Sequence, residues 1–522
     1  MPQNAAGSWS VPFPEVEERS IADYQAEMAA GRLTARTLVS KYLARIEATN
    51  RQGPCLNAVL ELAPDVLTLA DALDRERAAT GARSALHGIP ILLKDNIASA
   101  DGTATTAGSL ALLGTRPQGA FVVQRLRAAG AIVLGKANMS EWANFRSTRS
   151  SSGWSGRGGQ GVNPYGLDLS PCGSSSGSAS AVAANLAAAA LGTETDGSIL
   201  CPAGVNGVVG IKPTVGLTSR SGVVPLAHSQ DTVGPLTRSV ADAAILLGIM
   251  AGPDPRDPAA AEAARFAVAD YTACLDADGL RGARIGIPRE VYWGYSEKAD
   301  AIAESAVAVM RDLGAVVVDP ANIPTAADMA RGWPPSDNSA LTVLLYEFKA
   351  DINAYLSALG PDAPVRTLDD LIAFNERHRD REMPYFGQEL FLQANAKGPL
   401  TDPIYLAALE RNHRLSRQQG IDAVMDAHEL DALVMPTTNP AWKIDLVNGA
   451  RGLGSSARAA ALAGYPAISV PAGHVFGLPV GITFLGRAGA EPTLIRLSYA
   501  FEQAARARQA PRMPAPSVLP PG

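Results

Sequence analysis

Two clusters of small polar residues hold the side chains that could do chemistry. Gly173-Ser174-Ser175-Ser176 and Asp196-Gly197-Ser198 each join serine hydroxyls to glycine, and Ser174 and Ser198 stand 24 residues apart (198 − 174). Glycine lets backbone N–H groups converge on one point, which is how an oxyanion is held during acyl transfer. A serine hydroxyl attacks a carbonyl carbon only when a base takes its proton. None of the six histidines lies within 170–202. A lysine kept neutral by burial is the other choice, and Lys94 directly follows Ile91-Leu92-Leu93, a run of the kind a buried strand makes. There a lysine either snorkels outward or turns inward and loses proton affinity, and the segment alone favours the outward direction.

Lys94 in HGIPILLKDNI, CGSSSGSA at 172–179 and TDGSI at 195–199 together resemble the amidase signature family, whose members use a Ser-Ser-Lys triad. The resemblance implies that Ser198 is the acyl-accepting nucleophile, Ser174 the bridging serine and Lys94 the base. It also implies a cis peptide at Ser174 and an oxyanion hole made by the N–H groups of Thr195, Asp196, Gly197 and Ser198. The likeness runs from about Ile21 to about Arg506. Within the family, SEWANFR (140–146), SGWSGRGGQ (152–160), SQDTVGPL (229–236) and LLYEFKA (344–350) are similar to bacterial peptide amidases. The implied activity is hydrolysis of a peptide C-terminal amide to the acid and ammonia, with no cofactor and no metal. The implied partner is a small-molecule or short peptide amide, and the implied state a monomer. The alternatives within the same family are a general aryl or aliphatic amidase, one component of a transamidase complex, and a non-catalytic binding protein.

Competing motifs are weaker. Gly173-Ser174-Ser175-Ser176-Gly177 satisfies GxSxG, which makes Ser175 an esterase nucleophile with an Asp and a His downstream. That reading leaves the second serine loop and the upstream lysine without a purpose. Gly156, Gly158 and Gly161 match GxGxxG, but no strand precedes them and no helix follows, so a dinucleotide site is not expected. His87 sits between turn residues and reads as structural. No His/Cys/Asp grouping has metal-ligand spacing. Cys172 and Cys201 flank the two serine loops and are expected as two small buried thiols, not a bridge.

The elements that must position these groups alternate helix and strand, the signature of an α/β layer fold. With 522 residues, 47% of them hydrophobic, the chain can bury a large core. A single α/β/α layered domain with a large mixed, mostly parallel twisted β-sheet is expected over 21–506. The helical opening spans 21–80, with Thr34 capping a helix that carries Leu38, Val39, Tyr42, Leu43 and Ile46 on one face. Ser178–Leu191 reads as one buried helix, because it is apolar all round. Strands are expected at AIVLG (131–135), ARIGIP (283–288), AVVVDP (315–320), DALVMP (431–436), AISVPAG (467–473) and LPVGITFLG (478–486). Charge and helical spacing rise over 321–429, read as a helical insertion beside the site that sets substrate choice. Residues 1–20 read as an extended segment and 507–522 as a Pro-rich tail.

The formal net charge of −6 leaves no basic patch for nucleic acid or acidic membrane. The first residues show neither a basic nor an apolar signal region, and no run is long enough to span a bilayer. A soluble, cytoplasmic protein is expected, or an exported one if a leader has been removed.

Overall fold

The structure, a computed structural model, describes residues 11–330, 338–449 and 452–513. Its strands in chain order are β1 (Val59–Leu62), β2 (Pro90–Lys94), β3 (Ile132–Ala137), β4 (Trp154–Ser155), β5 (Gly159–Gln160), β6 (Ala189–Glu194), β7 (Val209–Lys212), β8 (Thr232–Thr237), β9 (Arg284–Gly286), β10 (Val316–Val318), β11 (Ala432–Pro436), β12 (Ala467–Val475) and β13 (Leu478–Leu485). Eleven of them form one sheet, in the order β1-β3-β2-β6-β8-β7-β12-β13-β11-β9-β10. β4 and β5 make a separate hairpin from the Gly-rich segment, so GxGxxG is a β-turn element here, with no strand-to-helix phosphate loop.

The sheet is mixed, as expected, but its parallel pairings are confined to the two flanks. β3-β2-β6 on one side and β11-β9-β10 on the other are parallel. Between them β6-β8-β7-β12-β13-β11 is antiparallel throughout. Connection length explains the division. Helix Phe121–Ala128 carries the chain from β2 back to the start of β3, and helix Glu297–Asp312 does so from β9 to β10, the crossovers that parallel strands require. β12 and β13 are joined instead by the tight turn Phe476-Gly477, both residues at positive φ, which antiparallel partners allow.

Ile91, Leu92 and Leu93 of β2 are all fully buried, so both faces of the sheet are covered there. Helices Ala35–Ile46 and Val66–Thr80 pack by this flank, and Glu297–Asp312 and Glu491–Ala505 pack on β12 and β13. Thr34 caps its helix by accepting from Thr37 N, as its position predicts. The described residues of 321–429 are mainly helical, from Ala326–Ala330 through Ser339–Ala358 and Pro403–Ser416 to Asp422–His428. The end of the Pro-rich tail, 514–522, lies outside the described residues, as does the first half of the 1–20 segment, 1–10.

One expectation fails in an informative way. The apolar run expected as one helix over Ser178–Leu191 is two elements: helix Ser176–Ala183, all of it buried, and then β6. Asn185 breaks the helix at φ +56. The carbonyls freed at the break are taken up by arginines from far along the chain. Arg45 Nε donates to Asn185 O at 2.9 Å, Arg238 Nη1 to Ala187 O at 2.8 Å and Arg508 Nη2 to Ala183 O at 3.2 Å. A buried helix end needs such partners, and these three supply them.

Candidate active site

β2 and β6 run side by side in the same direction, with Leu93 opposite Leu191. Their C-terminal ends therefore bring Lys94 and Thr193 together, and helix Ser176–Ala183 leads its preceding loop to the same place. Lys94 is fully buried, so the inward direction prevails over the outward one. Its Nζ lies 2.7 Å from Ser174 Oγ, 2.8 Å from Thr193 Oγ1 and 3.0 Å from Thr193 O. Asn96 Nδ2 also donates to Thr193 Oγ1 at 3.0 Å. None of these partners is a carboxylate. Burial brings the Lys94 ammonium pKa down from 10.5 to about 7, with Asp231 and Glu194 at longer range opposing the shift.

Asp95, next in sequence, turns the other way. Its carboxylate takes Arg157 Nη1 at 2.6 Å, Gly108 N at 3.1 Å and the Thr106 hydroxyl, so it leaves Lys94 unneutralised.

The second serine loop is held from several sides. Ser175 N donates to Ser198 O at 3.1 Å, which joins the two loops directly. Glu194, at the end of β6, accepts from Ile199 N at 2.6 Å and Leu200 N at 2.9 Å and so fixes the turn of 195–198 at its far side. Gly197 has φ +84, and a Cβ there would stand 3.2 Å from Ala457 Cβ. Thr195 is gripped twice, its Oγ1 donating to Asp231 Oδ1 at 2.5 Å and its carbonyl accepting from Gln230 Nε2 at 3.2 Å. Ser198 Oγ is buried and, among the described residues, engages no hydrogen-bond partner. The Gly173–Ser174 peptide is cis.

Ser175, the nucleophile of the GxSxG reading, is committed elsewhere. Its Oγ donates to Thr193 O at 3.1 Å and accepts from Thr193 N at 3.2 Å, fastening the loop to β6. No histidine is among its partners or those of Ser174. His87 is buried with its Nε2 2.9 Å from Leu73 O and its Nδ1 accepting from Arg83 N, the structural use expected of it.

Cys172 and Cys201 are disulfide-bonded, with Cα atoms 6.1 Å apart, which corrects the expectation of two separate thiols. The bond ties the residue two before Ser174 to the residue three after Ser198. Spacing along the chain could not reveal it, because the two loops meet through the packing of helix Ser176–Ala183 on β6 and on helix Leu200–Asn206. Thr193, two residues before TDGSI, and Gln230 and Asp231, inside SQDTVGPL, are likewise polar groups of the site to which the sequence assigns no separate part.

Two further lysines are buried in the sheet, Lys136 and Lys212, each brought to about 8 chiefly by burial. Lys136 donates to Ile97 O and to Thr105 Oγ1, and Lys212 to Tyr465 O at 2.8 Å. Among the three, Lys94 is the one that meets a serine.

Known proteins agree with this architecture. The amidase family model matches residues 37–495. The crystal structure of native peptide amidase from Stenotrophomonas maltophilia superposes with a TM-score of 0.90 at 53% identity, covering 96% of this chain and 99% of that one. A probable amidase of Arabidopsis thaliana is 43% identical over 504 residues, 95% of this chain and 92% of the relative. A glutamyl-tRNA(Gln) amidotransferase subunit of Chloroflexus aurantiacus is 35% identical over 516 residues, 94% of this chain and 97% of the relative. With the family match spanning most of the sheet and both serine loops, the chain belongs to the amidase signature family and is an amide-hydrolysing enzyme.

Proposed function

We propose that the enzyme hydrolyses the C-terminal amide of peptides through an acyl-enzyme on Ser198, with Ser174 and Lys94 completing a Ser-Ser-Lys triad. The observation that carries this reading is the buried contact between Lys94 Nζ and Ser174 Oγ at 2.7 Å, with hydroxyls and a carbonyl, and no carboxylate, as the direct partners of Nζ among the described residues. A neutral amine has two N–H donors and one lone pair. Thr193 O can only accept, so one of the two hydroxyls around Nζ must turn its proton toward the lone pair. Ser174 is the one of the two on the serine loop, and by doing so it frees its own oxygen to accept from Ser198.

In the reaction, Ser198 Oγ turns toward Ser174 and attacks the amide carbon. Its proton passes to Ser174 and the Ser174 proton to Lys94. The tetrahedral oxyanion is held by N–H groups of the turn Thr195, Asp196, Gly197 and Ser198. Lys94 returns a proton through Ser174 to the departing ammonia, leaving the acyl ester. Water then attacks the ester with the same base, and the sum is R–CO–NH2 plus H2O giving R–COOH and NH3. Peptide as the acyl side is supported by the 53% likeness to a peptide amidase.

The test is an amidated tetrapeptide incubated with the purified chain alone, with ammonia release and product masses followed. The expected products are the tetrapeptide acid and one equivalent of ammonia. Internal cleavage in quantity would point to a protease, and dependence on added partner proteins to a transamidase.

A further inference from the structure

The turn His228–Asp231 lies between the candidate oxyanion turn and the helical insertion, and it touches both. On one side Gln230 and Asp231 hold Thr195 by its carbonyl and its hydroxyl. On the other, His228 and Ser229 meet helix Ser339–Ala358. His228 Nδ1 is 2.9 Å from Asp351 Oδ2, and its Nε2 is 3.5 Å from Glu347 Oε1. The backbone continues the clamp, with His228 N donating to Asp351 Oδ2 at 2.9 Å and Ser229 N and Oγ donating to Glu347 Oε2 at 3.0 and 2.8 Å. Glu347 is fully buried and also accepts from Tyr405 OH at 2.9 Å. The turn itself is stiff, since Asp231 Oδ2 accepts from Leu226 N and Ala227 N, and Asp231 N donates to Ala227 O.

His228, Glu347 and Asp351 are also close enough together to be weighed as metal ligands. The two carboxylates, however, approach different ring nitrogens. With Asp351 at Nδ1 and Glu347 at Nε2, an imidazolium has a proton for each, and dialysis against EDTA separates this from a ring that holds a metal on one nitrogen. Burial pushes the Glu347 carboxyl above its usual range, and the His228 ring, the Ser229 donors and Tyr405 act against that shift.

We propose that His228 is a positioning residue: as an imidazolium clamped by Glu347 and Asp351, it seats the turn carrying Gln230 and Asp231 against Thr195 and thereby holds the oxyanion turn in register with the helical insertion. The proposal rests on the assignment of 195–198 as the oxyanion turn. Burial works against the charged ring, but Asp351 and Glu347 outweigh it and hold its pKa above the ordinary 6.5. The clamp is therefore complete below that range and is lost as pH rises through the raised value. Arg220 faces the ring from its own loop and opposes the charge, and it is itself paired with Asp257. Arg256 and Asp231 line the same side, and Glu262, Arg265, His413 and Arg417 lie across a neighbouring cavity.

The experiment compares pH profiles of kcat and KM for wild type, His228→Gln, His228→Lys and Asp351→Asn on one amidated peptide. Wild type should lose kcat on the alkaline side as the ring deprotonates. His228→Gln should lose about tenfold to hundredfold in kcat, the scale of a small misplacement at a catalytic group, with KM little changed and the alkaline limb gone. His228→Lys should recover part of kcat without that limb. Asp351→Asn removes one acceptor and should move the limb to lower pH, which keeps the proposal testable if His228→Gln fails to fold. Dialysis against EDTA should leave kcat and the limb unchanged. A His228→Gln enzyme with wild-type kcat and an unchanged limb overturns the proposal, as does activity lost to EDTA and restored by Zn²⁺. The acid limb belonging to Lys94 is read in the same profiles; its absence from wild type would fault the triad, while the alkaline limb reports on His228 independently.

Discussion

Replacing Lys94 by methionine separates what the residue does for catalysis from what its burial costs. The ammonium pKa falls from 10.5 to about 7 on folding. At ~1.4 kcal/mol per pH unit, that is about 5 kcal/mol against the charged form. Between about 7 and 10.5 the unfolded chain binds the extra proton, so stability rises with pH across this window. Below about 7 both states are protonated and the folded protein carries the whole cost. Lys94→Met fills a similar volume and removes that cost, but leaves the hydroxyls of Ser174 and Thr193 short of a partner, a loss of ~1–3 kcal/mol. The variant should therefore be more stable than wild type by about 2–4 kcal/mol near pH 6, with the order reversing by about pH 10, where the loss at the two hydroxyls is what remains. Urea midpoints measured across that range give the difference directly. Turnover of the variant should fall by several orders of magnitude, while wild-type kcat should decline tenfold for each pH unit below about 7, the slope of one ionising group. A variant less stable than wild type near pH 6, or one keeping near-normal turnover with the same acid limb, refutes the reasoning.

Other expectations follow from the same contacts. A serine-reactive sulfonyl fluoride should label Ser198, whose hydroxyl has no protein partner among the described residues, and not Ser175, which is bonded to both backbone groups of Thr193; peptide mapping decides, and label on Ser175 would reverse the assignment. Ser198→Ala should abolish turnover, whereas Ser174→Ala should keep a trace, because an oxyanion hole alone supplies part of the rate. Reduction of Cys172–Cys201, which closes a separation of 29 residues, should lower stability by about 3–4 kcal/mol in the chain-entropy model. Thiol titration of the denatured, unreduced protein should find two free thiols, Cys55 and Cys274, and four would refute the bridge.

How much of this was legible in the sequence depended on range. Lys94 was readable as a strand-end lysine because β2 is a local apolar run, and β3, β9, β10, β11, β12 and β13 were readable for the same reason. Its inward direction was not, since the partners that draw it in, Ser174 and Thr193, arrive 80 and 99 residues later. The run 178–191 defeated periodicity, because a buried helix and a buried strand are both uniformly apolar, and Asn185 was too weak a stop signal to divide them. β7 and β8 carry glycine and proline and escaped notice, and without them the antiparallel centre of the sheet could not be foreseen. The grip of Asp231 on Thr195 joins residues 36 apart on different strands' loops, and no local pattern marks it.

The three arginines at the end of helix Ser176–Ala183 also impose an order in time. The helix and both serine loops are synthesised within the first 206 residues, but Arg238 comes later and Arg508 only after the last helix of the domain. On a growing chain the carbonyls of Ala183 and Ala187 must wait, open to water or to wrong partners, until those side chains exist. The far end of this helix is therefore completed last, and a nascent chain cut short anywhere before Arg508 leaves the Ala183 carbonyl without its arginine.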